Sequence, residues 1–90
     1  MFRLVNHLTS SRFWETYNRL PASIRKTADK NFQLLKENPK HPSLRLKKVG
    51  IFWSVRIGNK YRSLAVEKNG NIIWFWIGNH SDYEKLIENC

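Results

Sequence analysis

The hydrophobic period of this sequence changes across Pro39-Lys40-His41-Pro42, and that change from helical to strand spacing fixes most of what the chain can build. Ahead of it, Phe13, Trp14, Tyr17 and Leu20 form one helical stripe, and Ile24, Ala28, Phe32 and Leu35 form a second. The first stripe predicts a helix of about ten residues, with Thr9, Ser10 and Ser11 as possible N-caps. Pro21 restarts the chain, and a second helix, with Lys26, Lys30, Gln33 and Glu37 turned outward, runs until Asn38-Pro39 ends it.

Beyond the breaker the pattern belongs to sheet. Leu44-Arg45-Leu46-Lys47 alternates apolar with basic, as a half-exposed strand does. Phe52 to Ile57 follows, with Trp53, Val55 and Ile57 on one face and Ser54 and Arg56 on the other. Gly58-Asn59-Lys60 makes a turn. Tyr61 to Glu67 and Ile72 to Ile77 flank Asn69-Gly70-Asn71, whose Asn-Gly pair favours the left-handed turn of a hairpin. Asn79 or Ser81 can cap a closing helix with Tyr83, Leu86 and Ile87 on one side. Phe2 to Asn6 reads as a short first strand. The predicted fold is α+β: two N-terminal helices packed on an antiparallel four-stranded sheet, with a short N-terminal strand and a C-terminal helix. The helices should cover one sheet face and leave the other open for function. Ninety residues with no repeat, linker or shift in composition make one domain, 1–90, with no room for a deep cofactor cavity, so no cofactor is expected.

Charge then narrows the partner. Sixteen Lys and Arg against seven Asp and Glu leave a formal +9, a field that attracts polyanions: RNA, DNA, ribosome or an acidic protein. Cys90 is the single cysteine, so it closes no internal disulfide, which fits a reducing, cytoplasmic setting. The start of the chain lacks the apolar run of a signal peptide, and nothing approaches the ~20 apolar residues of a membrane span, so no membrane partner is expected. His7, His41 and His80 are widely spaced without ligand company, so no metal is expected.

The strand alternation gathers cations. Arg45 and Lys47 share a face, Arg56 lies opposite the Trp53-Val55-Ile57 face, and Arg62 sits beside it across the turn. Clustered like charges make better sense with a phosphate among them; the plainer alternative is a solvated basic face. Lys48 points away from Lys47 and fits either role. His80 and Tyr83 stand three apart where the last strand becomes a helix, which brings both to one edge. An imidazole there can move a proton of a ribose hydroxyl, although His80 alone would more ordinarily be a cap. His7 and His41 read as surface or turn residues. Trp74 and Trp76 alternate with Phe75 and Ile77, marking a strand covered on both faces, with one tryptophan available as a stacking platform in the alternative.

Leu44-Arg45-Leu46-Lys47-Lys48-Val49, then Trp53-Ser54-Val55-Arg56-Ile57-Gly58-Asn59-Lys60-Tyr61-Arg62, then Ile77-Gly78-Asn79-His80-Ser81-Asp82-Tyr83, resembles the RelE/ParE superfamily of toxins from bacterial toxin–antitoxin systems. The order and spacing of these short motifs, over most of the chain, carry the resemblance. It implies a RelE/ParE-like fold and an acidic cognate antitoxin wrapped around the toxin. In the ribonuclease branch the target is messenger RNA on the ribosome, and in the ParE branch it is DNA gyrase. By that resemblance Arg56 contacts the scissile phosphate, Lys47 or Lys48 and Arg62 assist, and His80 and Tyr83 serve as base, acid or stacking platform. Arg45, Lys47, Lys48 and Lys60 are the accompanying nucleic-acid-binding cations. The reading that follows is a metal-independent messenger RNA endoribonuclease; the alternatives are a non-enzymatic gyrase inhibitor and an inactive nucleic-acid- or antitoxin-binding module.

Overall fold

A computed structural model describes residues 6–88. The strand expected over Phe2 to Asn6 therefore lies outside the described residues except for Asn6, as does Cys90. The elements are β1 (Asn6–Thr9), α1 (Ser11–Tyr17), α2 (Ala22–Glu37), a 3-10 turn (Pro42–Leu44), β2 (Lys47–Val49), β3 (Phe52–Ile57), β4 (Tyr61–Lys68), β5 (Asn71–Asn79) and α3 (His80–Glu88). They form one five-stranded sheet in the order β1-β5-β4-β3-β2. The last four strands are the expected antiparallel meander, and β1 pairs parallel to β5 at its far edge.

Ser10 is the cap of α1: its hydroxyl accepts from the Phe13 N–H. That helix stops at seven residues, shorter than the stripe suggests. Asn18 to Leu20 leave it as a turn because Pro21 disfavours helical backbone in the residue before it. Leu20 is nonetheless buried, so the stripe marked burial beyond the helix that carries most of it. Between α2 and β2 the expected strand over Leu44 to Lys47 is replaced by the 3-10 turn. Pro42 sits in its first turn, His41 Nδ1 accepts from the Ser43 N–H, and Arg45 closes it in left-handed conformation at φ 46°. This drops Leu44 into the core and delays pairing until Lys47.

Phe13, Leu20, Ala28 and Leu35 of the helical layer meet Val55, Ile57, Ala65, Ile72, Trp74 and Ile77 of the sheet. Edge-to-face rings connect the layers: Trp74 to Phe32 and Phe32 to Phe13, each at 5.4 Å between centroids, a geometry that adds to area burial. The Asn69-Gly70 turn has both residues at positive φ, 55° and 81°, as a two-residue hairpin requires.

One irregularity decides where side chains point. The β4–β5 register slips between Leu64 and Ala65, which pair with Trp76 and Trp74 and leave Phe75 as the extra residue of a bulge. Side-chain parity reverses there, so Trp74 enters the core while Trp76 falls on the opposite face. Ser63 Oγ donates to the Trp76 carbonyl at 2.7 Å, satisfying that oxygen beside the bulge. Two tryptophans two apart in sequence thus lie on different faces, which simple alternation does not anticipate.

Candidate functional site

The face opposite the helices is not bare. Phe52 and Phe75 pack there at 5.5 Å, and Leu64 and Ser54, also on that face, are as buried as the core. What is polar on it is concentrated near the β3–β4 turn and the β2 edge. Arg56 of β3 and Arg62 of β4 are direct cross-strand partners, and Gly78 of β5 is the next residue in the same row. Lys47 pairs with Ser54 and so shares the face of Arg56, two residues along the strand.

Arg56 is held in place by its neighbours. Its Nε donates to the Gly58 carbonyl at 2.8 Å and its Nη2 to Asn59 Oδ1 at 2.7 Å, while Asn31 of α2 donates to the Arg56 carbonyl at 3.0 Å. Arg62 donates from Nη1 to the Tyr61 carbonyl at 2.9 Å. Among the described residues neither guanidinium meets a carboxylate. Burial, with the positive charges of Arg56 and Arg45, pulls the Arg62 pKa below the usual arginine range, and Tyr83 acts in the opposite direction. A guanidinium stays charged through such a shift, so the strain persists as repulsion awaiting an anion.

The remaining side comes from α3. The His80 N–H donates to the Lys60 carbonyl at 2.8 Å, which ties the helix start to the β3–β4 turn. Asn79 Oδ1 accepts from the Asp82 N–H at 2.8 Å, making Asn79 the cap. Tyr83, one turn into the helix, is 5% exposed and lies with its ring 5.8 Å from that of His80. His80 is half exposed, and its Nδ1 lies 3.1 Å from Glu84 Oε1. When Nδ1–H donates to that carboxylate, Nε2 is left with a lone pair, as an oriented general base requires.

The structure thus pairs Arg56 with Arg62 across the strands, sets Lys47 on the same face, leaves Arg45 and Tyr83 within electrostatic reach of Arg62, and puts the His80 ring near Tyr83. Arg45 arrives differently from expectation: it sits in the left-handed end of the 3-10 turn and not on a strand beside Lys47. Lys48 belongs elsewhere, because its ammonium lies over the Trp53 ring at 5.2 Å, on the helical side. Lys60 is exposed in the turn, where its carbonyl serves α3. His7 is not a mere surface residue: its Nδ1 accepts from Trp74 Nε1 at 3.1 Å, and burial, with Lys36, lowers its pKa. His41 is a turn residue, as expected.

Three contributors were missed. Asn59 and Asn31 position Arg56, and no sequence pattern announces bonds to a strand-end arginine. Glu84 had a signal, since it stands four residues from His80 on a predicted helix.

A sequence family described as ParE-like toxin domain matches residues 22–85. No curated protein matches by sequence. By structure the chain is similar to a RelB–RelE antitoxin–toxin complex from Methanococcus jannaschii, with TM-score 0.68 and 18% identity, covering 88% of this chain and 96% of that one. It is similar to YafQ from E. coli strain BL21(DE3), with TM-score 0.67 and 10% identity over 88% and 97% of the two chains. It is also similar to a mutant of the E. coli toxin RelE in the free state, with TM-score 0.63 and 12% identity over 97% and 98%. At these identities the likeness is one of fold. No described helix is long and apolar enough to cross a membrane.

Proposed function

The chain belongs to the family of ParE-like toxin domains, whose match spans well over half of it, and from that premise we propose that it is the toxin of a toxin–antitoxin pair acting as a messenger RNA endoribonuclease on the ribosome. The observation that supports this reading most is the pairing of an oriented base with uncompensated cations. His80, held at Nδ1 by Glu84, has its ring 5.8 Å from that of buried Tyr83, and Tyr83 lies within electrostatic reach of Arg62, the cross-strand partner of Arg56.

In this scheme His80 Nε2 takes the proton from a ribose 2′-hydroxyl as that oxygen attacks the adjacent phosphorus. The bond to the 5′-oxygen breaks, a 2′,3′-cyclic phosphate forms, and the leaving oxygen takes up a proton from solvent or from the imidazolium. Arg56 and Arg62, with Lys47 beside them, meet the extra negative charge of the pentacoordinate state, an electrostatic contribution of about 3–4 kcal/mol per well-placed donor. The nucleophile belongs to the substrate and the countercharge to the side chains, so the scheme needs no metal. Tyr83, its ring 5.8 Å from that of His80, braces the imidazole.

The same basic surface supports an acidic antitoxin as partner. The chain carries +9, and solved structures of similar fold include antitoxin–toxin complexes. An acidic segment that folds on binding would neutralise the arginine row.

The test is induced expression of wild type and His80→Ala, with primer extension on abundant messages beside a gyrase supercoiling assay. Codon-phased cuts lost by about 10²-fold or more in the variant, with supercoiling intact, are the expected result. Uncut messages with blocked supercoiling would replace this reading with gyrase inhibition.

A further inference from the structure

A groove of about 680 Å³ opens between α2 and the β3–β4 turn, and Arg56 stands in its wall. The other polar groups lining it include Lys30 and Asn31 of α2, His41 and Ser43 of the 3-10 turn, and Asn59, with no Asp or Glu among its lining residues. We infer that this groove holds the nucleotide next to the one at the Arg56–Arg62 row, its phosphate taken by Lys30, His41 and Arg56; the inference rests on the endoribonuclease reading.

Three features support it. First, the His41 ring is oriented. The Ser43 N–H donates to His41 Nδ1 at 3.2 Å, and Ser43 Oγ lies 2.8 Å from the same nitrogen. An Nδ1 that accepts leaves the ring proton on Nε2, so His41 offers a donor where His80 offers an acceptor. Second, Arg56 is shared. Two of its five N–H donors are committed, to Gly58 and Asn59, which leaves the fork able to bridge two successive phosphates. Third, the floor is mixed: Leu34 and Thr27 supply apolar surface for a sugar or base between the polar walls. An anionic ligand with an apolar body fits such a lining better than a free inorganic ion.

The experiment uses the full chain, isotopically labelled, titrated with inorganic phosphate and with 2′-O-methyl oligoribonucleotides of one, two and three residues, which cannot be cleaved. Amide shifts at Lys30, Asn31, His41 and Ser43 are expected with the two-residue ligand and stronger than with phosphate. Extending the ligand from one residue to two should tighten binding several-fold in wild type. Lys30→Gln changes an exposed helical side chain and should keep the fold by circular dichroism. It should lose most of that gain and lower the slope of log affinity against log salt by ~0.7, the value of one single-strand phosphate contact. Lys30→Arg should restore both. Equal gains in wild type and Lys30→Gln, or shifts confined to Arg45, Lys47 and Arg62, would overturn the groove while leaving the cleavage assay to judge the enzyme. Phosphate shifts in the groove with no gain from a second nucleotide would also overturn it. A wild-type chain that binds none of the oligonucleotides would likewise overturn the groove, with the cleavage assay still judging the enzyme.

Discussion

Gly78→Ala tests the packing behind the arginine row. Gly78 has no unusual φ; it is glycine because of space. A Cβ at this position would fall on the Trp76 ring, against Cζ2 and 2.9 Å from Cη2. The ring lies folded over Gly78 because the bulge at Phe75 turns Trp76 onto this face, and Gly78 is itself the cross-strand neighbour of Arg62. An alanine must drive the ring from its rotamer, at about 0.5–1.5 kcal/mol, and forfeit contacts over the strand, so that overpacking of about 1–3 kcal/mol is expected in total. For a domain of this size each kcal/mol lowers Tm by about 4–8 °C. Urea unfolding followed by circular dichroism measures the loss directly. The cause is isolated by a double-mutant cycle: Trp76→Ala removes the obstacle, so adding Gly78→Ala to it should cost little, and the two changes should be non-additive by at least about 1 kcal/mol. Gly50→Ala is the control, since that site has φ +60° and nothing within 4 Å of a Cβ. It should cost about 1 kcal/mol from backbone strain alone and show no coupling to Trp76. Additive effects of Gly78→Ala and Trp76→Ala would refute the argument.

Other outcomes follow from single contacts. Burial holds His7 below its ordinary value of 6.5, so the unfolded chain binds the proton more readily; stability should be full above pH 6.5 and fall as pH drops below it. His7→Gln, which keeps an acceptor for Trp74 without titrating, should flatten that part of a pH series of unfolding midpoints. Arg45→Gly should raise stability by about 1 kcal/mol in thermal unfolding, because a non-glycine residue at φ 46° is strained, while weakening polyanion binding. Arg62→Gln should reduce the stabilisation that added sulfate gives the wild type, read as a smaller rise in Tm, since it removes the repulsion an anion relieves.

Periodicity carried the element order because both periods are long and clean: Phe52 to Ile57 is found with its boundaries unchanged, and the Asn69-Gly70 turn needs residues that tolerate positive φ. The misreadings are local. Leu44-Arg45-Leu46-Lys47 alternates like a strand, but Pro42 and the His41–Ser43 bond commit the preceding residues to a 3-10 turn, and a left-handed arginine then resets the direction of the chain. The Phe75 bulge is invisible because an inserted residue changes parity without changing composition. The candidate site was legible wherever alternation holds, at Arg56, Arg62 and Lys47. For Lys48 alternation gave the direction, away from Lys47, but not the partner, because meeting Trp53 depends on register, and register is a property of the partner strand.

The arginine row and the two histidines together make a directional surface. A row of cations alone would bind any polyanion in any pose. Here Arg56 is anchored by Asn59 and the Gly58 carbonyl, Arg62 by the Tyr61 carbonyl, and α3 is tied to the same turn through the His80 N–H and the Lys60 carbonyl. One short turn, residues 58–60, thereby sets the position of both the cations and the imidazole. His80 in α3 offers an acceptor and His41 before the 3-10 turn a donor, each oriented by a neighbour at Nδ1. On the endoribonuclease reading, an RNA strand would meet the proton acceptor at one nucleotide and the donor groove at the next. On that reading a reversed strand would put the ribose hydroxyl against a donor, so the two imidazoles would select the direction in which the substrate lies.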